Sequence, residues 1–299
     1  MKIAVLMSGQ ARYIERSAEW WKQRCFKPSM NLHVDYFFNL WDDGTDNLDD
    51  RVKNLYDAKV VDISDWEELG RNHIEQIRNG NENANDWWLV PEYVQHTMCY
   101  TTDEVSRYTW NFPGMFISTA KMAETFEPHF WQYDIVIKTR TDTILNDMSP
   151  NNWHSLFNNM LRNPVFNDNI FTPWLRIRNG LPFFGDLAFI GKPDLMQRFM
   201  TNMDKHLVKL ATHDKHLLSD YMIDPEIPFA HWLWSRLSMY SRTDWLAISV
   251  VWPVPFGACL LRSDENVVGQ TFQYLEHTYK RHEEEKHDVI FHKVGDTKN

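Results

Sequence analysis

Ile3-Ala4-Val5-Leu6-Met7-Ser8-Gly9-Gln10 opens the chain with five apolar residues that stop at a Ser-Gly turn pair. A short continuous apolar run, β-branched in part and ended by glycine, reads as a strand buried on both faces, the mark of a parallel sheet. Arg12 to Cys25 reads as the helix that follows. Val34 to Leu40 is a second strand, ending at Trp41-Asp42-Asp43-Gly44, and Lys59 to Ile63 a third, ending at Ser64-Asp65. Strands alternating with helical stretches predict a doubly wound α/β sheet, mostly parallel, with flanking helices.

Further along, residues 70 to 100 are polar and rich in Asn, with Asn79-Gly80 inside them, and read as a long loop or insertion. Gly114 to Phe126 is an amphipathic helix closed by Pro128, with Met115, Thr119, Met122 and Phe126 on one face. Ile135-Val136-Ile137 is another buried strand. Pro150 to Asn163 reads as a polar helix, Phe183 to Ile190 as a strand and Asp194 to Leu210 as a helix. Phe229 to Met239 reads as a Trp-rich helix, Ile248 to Val254 as an apolar run ending on Pro253 and Pro255, and Thr271 to His287 as a charged helix. There is no internal repeat and no low-complexity linker. The expected organisation is one domain with insertions, divided into an N-terminal half (1–145), a second half (146–265) and a C-terminal helix and tail (266–299).

Composition narrows the class. The 299 residues suffice for a sizeable core, and 43% hydrophobic with 24% charged is ordinary for a globular chain. The 14 Trp are unusual; most are expected in the core, the rest as flat platforms in clefts. A net charge of −10 without a polybasic run argues against nucleic-acid binding. Three cysteines, far apart, form neither a disulfide framework nor a metal knuckle and read as the reduced thiols of a cytosolic protein. No stretch approaches the roughly 20 apolar residues that span a bilayer, and no signal-peptide core follows Lys2.

Chemistry concentrates after two strands. Ser8-Gly9-Gln10-Ala11-Arg12 sits at the carboxyl end of the first, where open α/β sheets bind ligands. Gly9 allows backbone N–H groups near an anion and Arg12 adds a fixed positive charge; the plain alternative is a strand–helix turn with a surface Arg. In Tyr133-Asp134-Ile135-Val136-Ile137-Lys138-Thr139-Arg140-Thr141-Asp142, the strand turns polar at Lys138. Lys138, Arg140 and Asp142 share one face while the chain stays extended and could hold a pyrophosphate, with or without a metal. The plain alternative there is a local Lys–Asp or Arg–Asp pair. Asp186, among Phe183, Phe184 and Phe189, is either a base of raised pKa or a turn cap. Glu226 is the rival base and Asp220 a weaker one. His206, His213, Asp214 and His216 lack the spacing of a metal site and read as a solvated helix face, as do His282, His287 and His292.

Four of these segments resemble a group of bacterial and viral glycosyltransferases. Met7-Ser8-Gly9-Gln10-Ala11-Arg12 resembles their SGQxR opening, and Val34 to Trp41 their second strand. Met115-Phe116-Ile117-Ser118 through Lys121, followed by Tyr133 to Asp142, resembles their helix and YDxVIRxRxD strand; Phe184-Gly185-Asp186-Leu187-Ala188-Phe189 resembles a later GDxxAF element. The likeness covers roughly residues 1–45 and 112–195.

The resemblance implies a GT-A fold and transfer of a sugar from a nucleotide donor, UDP-linked in the simplest case, to a glycan, lipid or protein acceptor. In such a site Ser8, Gly9, Gln10 and Arg12 would border the nucleotide, with Asn39 and Trp41 beside its base or ribose. Lys138 or Arg140 would hold the diphosphate, Asp142 would contact donor sugar or metal, and Asp186 or Glu226 would be the catalytic base. The family's Asp-x-Asp metal motif reads Arg140-Thr141-Asp142 here. Either Asp142 alone ligates Mn²⁺ or Mg²⁺, or Arg140 replaces the metal's charge. Two rivals are a sugar nucleotidyltransferase, for which the first loop is short, and a non-catalytic carbohydrate-binding protein.

Overall fold

The apolar runs become the strands of one sheet. A computed structural model describes residues 1–26, 28–42, 44–65, 68–69, 116–145, 150–162, 169–170, 175–178, 181–184, 188–201, 203–204, 247–248 and 258–260. In chain order the elements are β1 (Lys2–Gly9), α1 (Ile14–Trp20), β2 (His33–Trp41), α2 (Leu48–Tyr56), β3 (Val60–Ser64) and α3 (116–126). Next come β4 (Ile135–Thr139), β5 (Thr143–Leu145), α4 (Pro150–Arg162), β6 (Asn169–Ile170), β7 (Leu175–Arg178) and β8 (Leu181–Phe184). The last are β9 (Ala188–Gly191), α5 (Pro193–Thr201), β10 (Ala247–Ile248) and β11 (Ala258–Leu260).

The main sheet has the order β3-β2-β1-β4-β9. Its first four strands are parallel and β9 is antiparallel to β4. The fold is therefore α/β with a mostly parallel central sheet, as the alternating pattern predicts. Side chains alternate between the two sheet faces. Ile3, Val5, Met7, Tyr36, Phe38, Leu40, Ile135 and Ile137 face a core built with Ile14, Ala18, Trp20 and Trp21, then Val52 and Tyr56 of α2, and Trp153, Phe157 and Met160 of α4. Leu6, Phe37, Asn39 and Lys138 face the other way. There Phe126 of α3 meets Phe37 at 5.1 Å between ring centroids, and Phe199 of α5 meets Phe189 at 5.0 Å. Gln197 Nε2 donates to the Ala123 carbonyl at 2.9 Å and joins α5 to α3. Both faces of the sheet are covered by helices.

Several expectations need correction. The helix after β1 starts at Ile14 and changes at Trp21 into a π-helix, Trp21–Cys25, closed by the Phe26 N–H to the Trp21 carbonyl at 2.9 Å. In α4 the polar reading fails, because Trp153, Phe157 and Met160 at four- and three-residue spacing bury one complete face. The single strand expected over Phe183–Ile190 divides in two: β8 pairs with β7, while β9 joins the main sheet. α2 is a helix that the sequence reading passed over; Leu48, Val52 and Tyr56 fall on its buried side. The expected 70–100 loop, the Trp-rich helix and the C-terminal charged helix lie outside the described residues.

Among the described tryptophans, Trp20, Trp21, Trp41 and Trp153 are buried and Trp131 is 73% exposed. Trp20 and Trp21 do more than fill volume. Their indole N–H groups donate to the carbonyls of Leu145 at 2.7 Å and Thr143 at 3.0 Å, so α1 holds β5 in place. Cys25 is buried in the core beneath the sheet. No helix among the described residues is long and apolar enough to cross a membrane.

Toward the amino end of the strands, Asp35 ties β2 to the segment before β4. Tyr133 Oη donates to its Oδ2 at 2.6 Å, and Lys59 Nζ and His33 Nε2 lie 3.4 and 3.3 Å away. Burial raises the Asp35 pKa, but the Tyr133 hydrogen bond and the His33 and Lys59 charges together outweigh it, so the net shift is downward. Burial, and then the same carboxylate, push the Tyr133 phenol up. A carboxylate with a lowered folded pKa adds stability above its unfolded value, about 3.9, and loses it as pH falls through the folded value. Wild type should exceed Asp35→Asn in stability at pH 6, and urea titrations should show the gap closing as pH falls below about 4. A gap that stays constant down to pH 2 would contradict this linkage.

Candidate active site

β1 leaves the sheet through Gly9, at φ 106°, a left-handed conformation that favours glycine. Among the described residues, nothing lies within 4 Å of the place where a Cβ would stand. The connections after β1 and β2 cross the first face, whereas the chain returns to β4 through α3 on the second. β1 and β4 are neighbours, so the topological switch point lies between them, and ligands of open α/β sheets bind at the carboxyl ends there. Residues 10–12 after β1 and 140–142 after β4 meet at this place.

One side chain joins the two loops. Thr141 is 1% exposed; its Oγ1 donates to the Gln10 carbonyl at 2.5 Å and accepts the Arg12 N–H at 3.2 Å. The Arg12 N–H also reaches the Gln10 carbonyl at 2.9 Å. On the other arm the strand ends at Thr139 and residues 141–142 form a turn, so the alternation that would put Lys138, Arg140 and Asp142 on one face stops. Lys138 stays inside the sheet, in register with Leu6 and Phe189, and is 2% exposed. Arg140 folds back on Asp142 as a two-pronged pair, Nε to Oδ1 and Nη2 to Oδ2, both 2.9 Å. The Arg140 side chain is 22% exposed and that of Asp142 4%, so the guanidinium is the member of the pair nearer solvent.

On the second face, Ser8, Asn39 and Asp62 stand in register across β1, β2 and β3. Asn39 is buried and its Nδ2 lies 3.0 Å from Asp62 Oδ2, 3.3 Å from Ser64 Oγ and 3.5 Å from Thr125 Oγ1. Thr125 Oγ1 also donates to Asp62 Oδ2 at 3.1 Å. The Asn39 amide is thus held by the protein, and Trp41, 6% exposed, is buried beside it in β2. Ser8 differs: it is 4% exposed and its Oγ has no hydrogen-bond partner among the described residues.

A cation fits this arrangement poorly. Both oxygens of Asp142 are engaged by one guanidinium, and no group of three His, Cys, Asp or Glu side chains converges among the described residues. Asp186, Glu226 and Asp220 lie outside the described residues, as do His206, His213, Asp214, His216, His282, His287 and His292. Thr141, Asp62 and Thr125 are participants that the sequence reading missed. A carboxylate interrupting Val60-Val61-Asp62-Ile63 was the signal available for Asp62.

Comparison with solved structures finds likenesses of fold, among them the following. The chain is similar to mouse xyloside xylosyltransferase 1. Against the crystal structure of its apo form, identity is 11%, the TM-score is 0.42, and the match covers 83% of this chain and 85% of that one. No family model and no curated protein matches this chain.

Ser8 supplies a direct test of the site's geometry. A buried hydroxyl without a partner costs about 1–3 kcal/mol, so Ser8→Ala should leave stability unchanged or raise it by about 1 kcal/mol in urea unfolding. A loss of more than about 1 kcal/mol would mean that the hydroxyl is bonded within the protein.

Proposed function

We propose that the chain is a nucleotide-sugar-dependent glycosyltransferase of the GT-A type. The observation that carries the reading is the meeting of the Ser8–Arg12 loop and the Arg140–Asp142 turn at the switch point between β1 and β4. The motif resemblance stated above supports it independently. Two arginines and a buried hydroxyl without a partner among the described residues, at the carboxyl ends of parallel strands, suit a diphosphate, which needs fixed positive charge and donors.

In this reading Ser8, Gly9, Gln10 and Arg12 border the nucleotide. Asn39 and Trp41 form the buried floor on its base or ribose side. Arg140 carries the diphosphate in preference to Lys138, since its guanidinium is partly exposed whereas Lys138 is buried in the sheet. Asp142 orients Arg140 and borders the donor sugar. In transfer, the bond from the sugar's anomeric carbon to the diphosphate oxygen breaks and that oxygen keeps the electron pair. The acceptor oxygen bonds to the same carbon, and its proton passes to one carboxylate, Asp186 as the leading candidate and Glu226 as its alternative. Fixed positive charge at Arg140 stabilises the departing diphosphate. In this reading the charge of Arg140 takes the place of Mn²⁺ or Mg²⁺ on the diphosphate.

Ligands that bind only the folded state raise its stability, by about 2.7 kcal/mol at a hundred times Kd. A thermal-shift screen with UDP-, GDP-, CMP- and dTDP-sugars, with and without Mn²⁺, should give a rise with at least one donor. Arg140→Gln should abolish that rise. Asp186→Asn should keep it and lower turnover by about a hundredfold or more. No rise with any donor at millimolar concentration contradicts the transferase reading. A sugar-only rise, without nucleotide dependence, would favour a carbohydrate-binding protein.

A further inference from the structure

We propose that Thr141 is a positioning residue: it sets the shape of the Gly9–Arg12 loop so that the loop receives the diphosphate of a nucleotide. The proposal rests on the transferase reading for its ligand and on the hydrogen bonds of Thr141 for its geometry.

A threonine hydroxyl has one proton to give and two lone pairs. Thr141 spends the proton on the Gln10 carbonyl at 2.5 Å and a lone pair on the Arg12 N–H at 3.2 Å. Both bonds cross from the β4 side of the switch point to the β1 side. The direction of the peptide follows. In a planar trans peptide the C=O and the next N–H point opposite ways. With the Gln10 carbonyl drawn to Thr141, the Ala11 N–H is turned away from it. Two residues before Ala11 stands Gly9, where an added Cβ would meet nothing within 4 Å among the described residues. An N–H turned away from Thr141, in a loop that begins at glycine, is a backbone donor offered to an anion.

Thr141 is itself held from its own side. Arg140 and Asp142 close on each other around it, and the Thr143 N–H lies 3.2 Å from the Arg140 carbonyl. The Trp21 indole fixes the Thr143 carbonyl at 3.0 Å. These bonds fasten the turn within the protein, and Thr141 ties the loop that carries Arg12 to it. A loop already ordered loses less freedom on binding, so its hydroxyl contact should appear as ligand affinity as well as protein stability. Valine matches threonine in shape and lacks the hydroxyl; serine keeps the hydroxyl and loses a methyl.

The test is calorimetric titration of UDP, GDP and dTDP into wild type, Thr141→Val and Thr141→Ser, at a temperature where each is folded. It is accompanied by amide hydrogen exchange of the free proteins. Wild type is expected to bind at least one of these nucleotides. Thr141→Val should weaken Kd about tenfold or more, the equivalent of one lost hydrogen bond of about 1.4 kcal/mol, with Thr141→Ser within about threefold of wild type. The Arg12 amide should be protected in wild type and Thr141→Ser and exchange about tenfold faster or more in Thr141→Val. Wild-type affinity in Thr141→Val overturns the role of Thr141 while leaving the transferase reading in place. Failure of wild type to bind any of the three overturns both the ligand and the reading it rests on. If Thr141→Val does not fold, the wild-type exchange still decides: an Arg12 amide exchanging like an unstructured one overturns the proposal.

Discussion

The ladder between β1 and β4 brings together two segments far apart in sequence, and the whole carboxyl edge of the sheet depends on it. Ile3 to Met7 pair with Ile135 to Thr139 residue by residue. That register delivers Ser8 and Arg140 to the same edge. It also lets one hydroxyl on Thr141 bond to backbone groups of Gln10 and Arg12. The ladder forms because both strands are continuous apolar runs buried on two faces, so a slip of one residue would carry Lys138 and Ser8 into the tryptophan-lined core. Burial fixes register, and register fixes the site.

Around the ladder, aromatic side chains act as both filler and fastener. Trp21, Phe26, Trp153 and Phe157 form a chain of ring contacts with centroids 5.8, 5.2 and 5.1 Å apart. The indole N–H groups of Trp20 and Trp21 satisfy carbonyls of the short β5 strand, which would otherwise cost free energy on burial. β5 follows directly on the Arg140–Asp142 turn, so the same contacts that build the core limit the movement of that turn. Within the turn, Arg140 and Asp142 form a two-pronged ion pair. A carboxylate so engaged is a poor lone ligand for a cation, whereas a guanidinium, with N–H donors only, is suited to an anion.

Much of this was legible in the sequence because strands announce themselves locally. Ile3–Met7, Val34–Leu40, Lys59–Ile63 and Ile135–Ile137 are apolar runs bounded by turn or charged residues, and each became a strand of the main sheet. Ser8, Gly9, Arg12, Arg140 and Asp142 were readable as candidates because charges or glycine directly after a buried strand sit at the ligand edge. What escaped was set by partners distant in sequence. Thr141 looked like a spacer between two charged residues; its partners are 129 and 131 positions away. The Asn39–Asp62–Thr125 network spans two strands and a helix. α4 read as polar because Trp153, Phe157 and Met160 are interspersed with His154, Ser155, Asn158 and Asn159, and only the helical period brings the three onto one face.

The central claim is that a nucleotide sits across the carboxyl ends of β1 and β4. Hydrogen-exchange mass spectrometry of the full chain, with and without the nucleotide sugar that gives the largest thermal shift, tests it most directly. The account predicts slowed exchange in peptides covering residues 8–13 and 138–143, with little change at the opposite end of the sheet around Asp35 and Tyr133. Protection confined to that opposite end, or absent from both loops at saturating ligand, would contradict it.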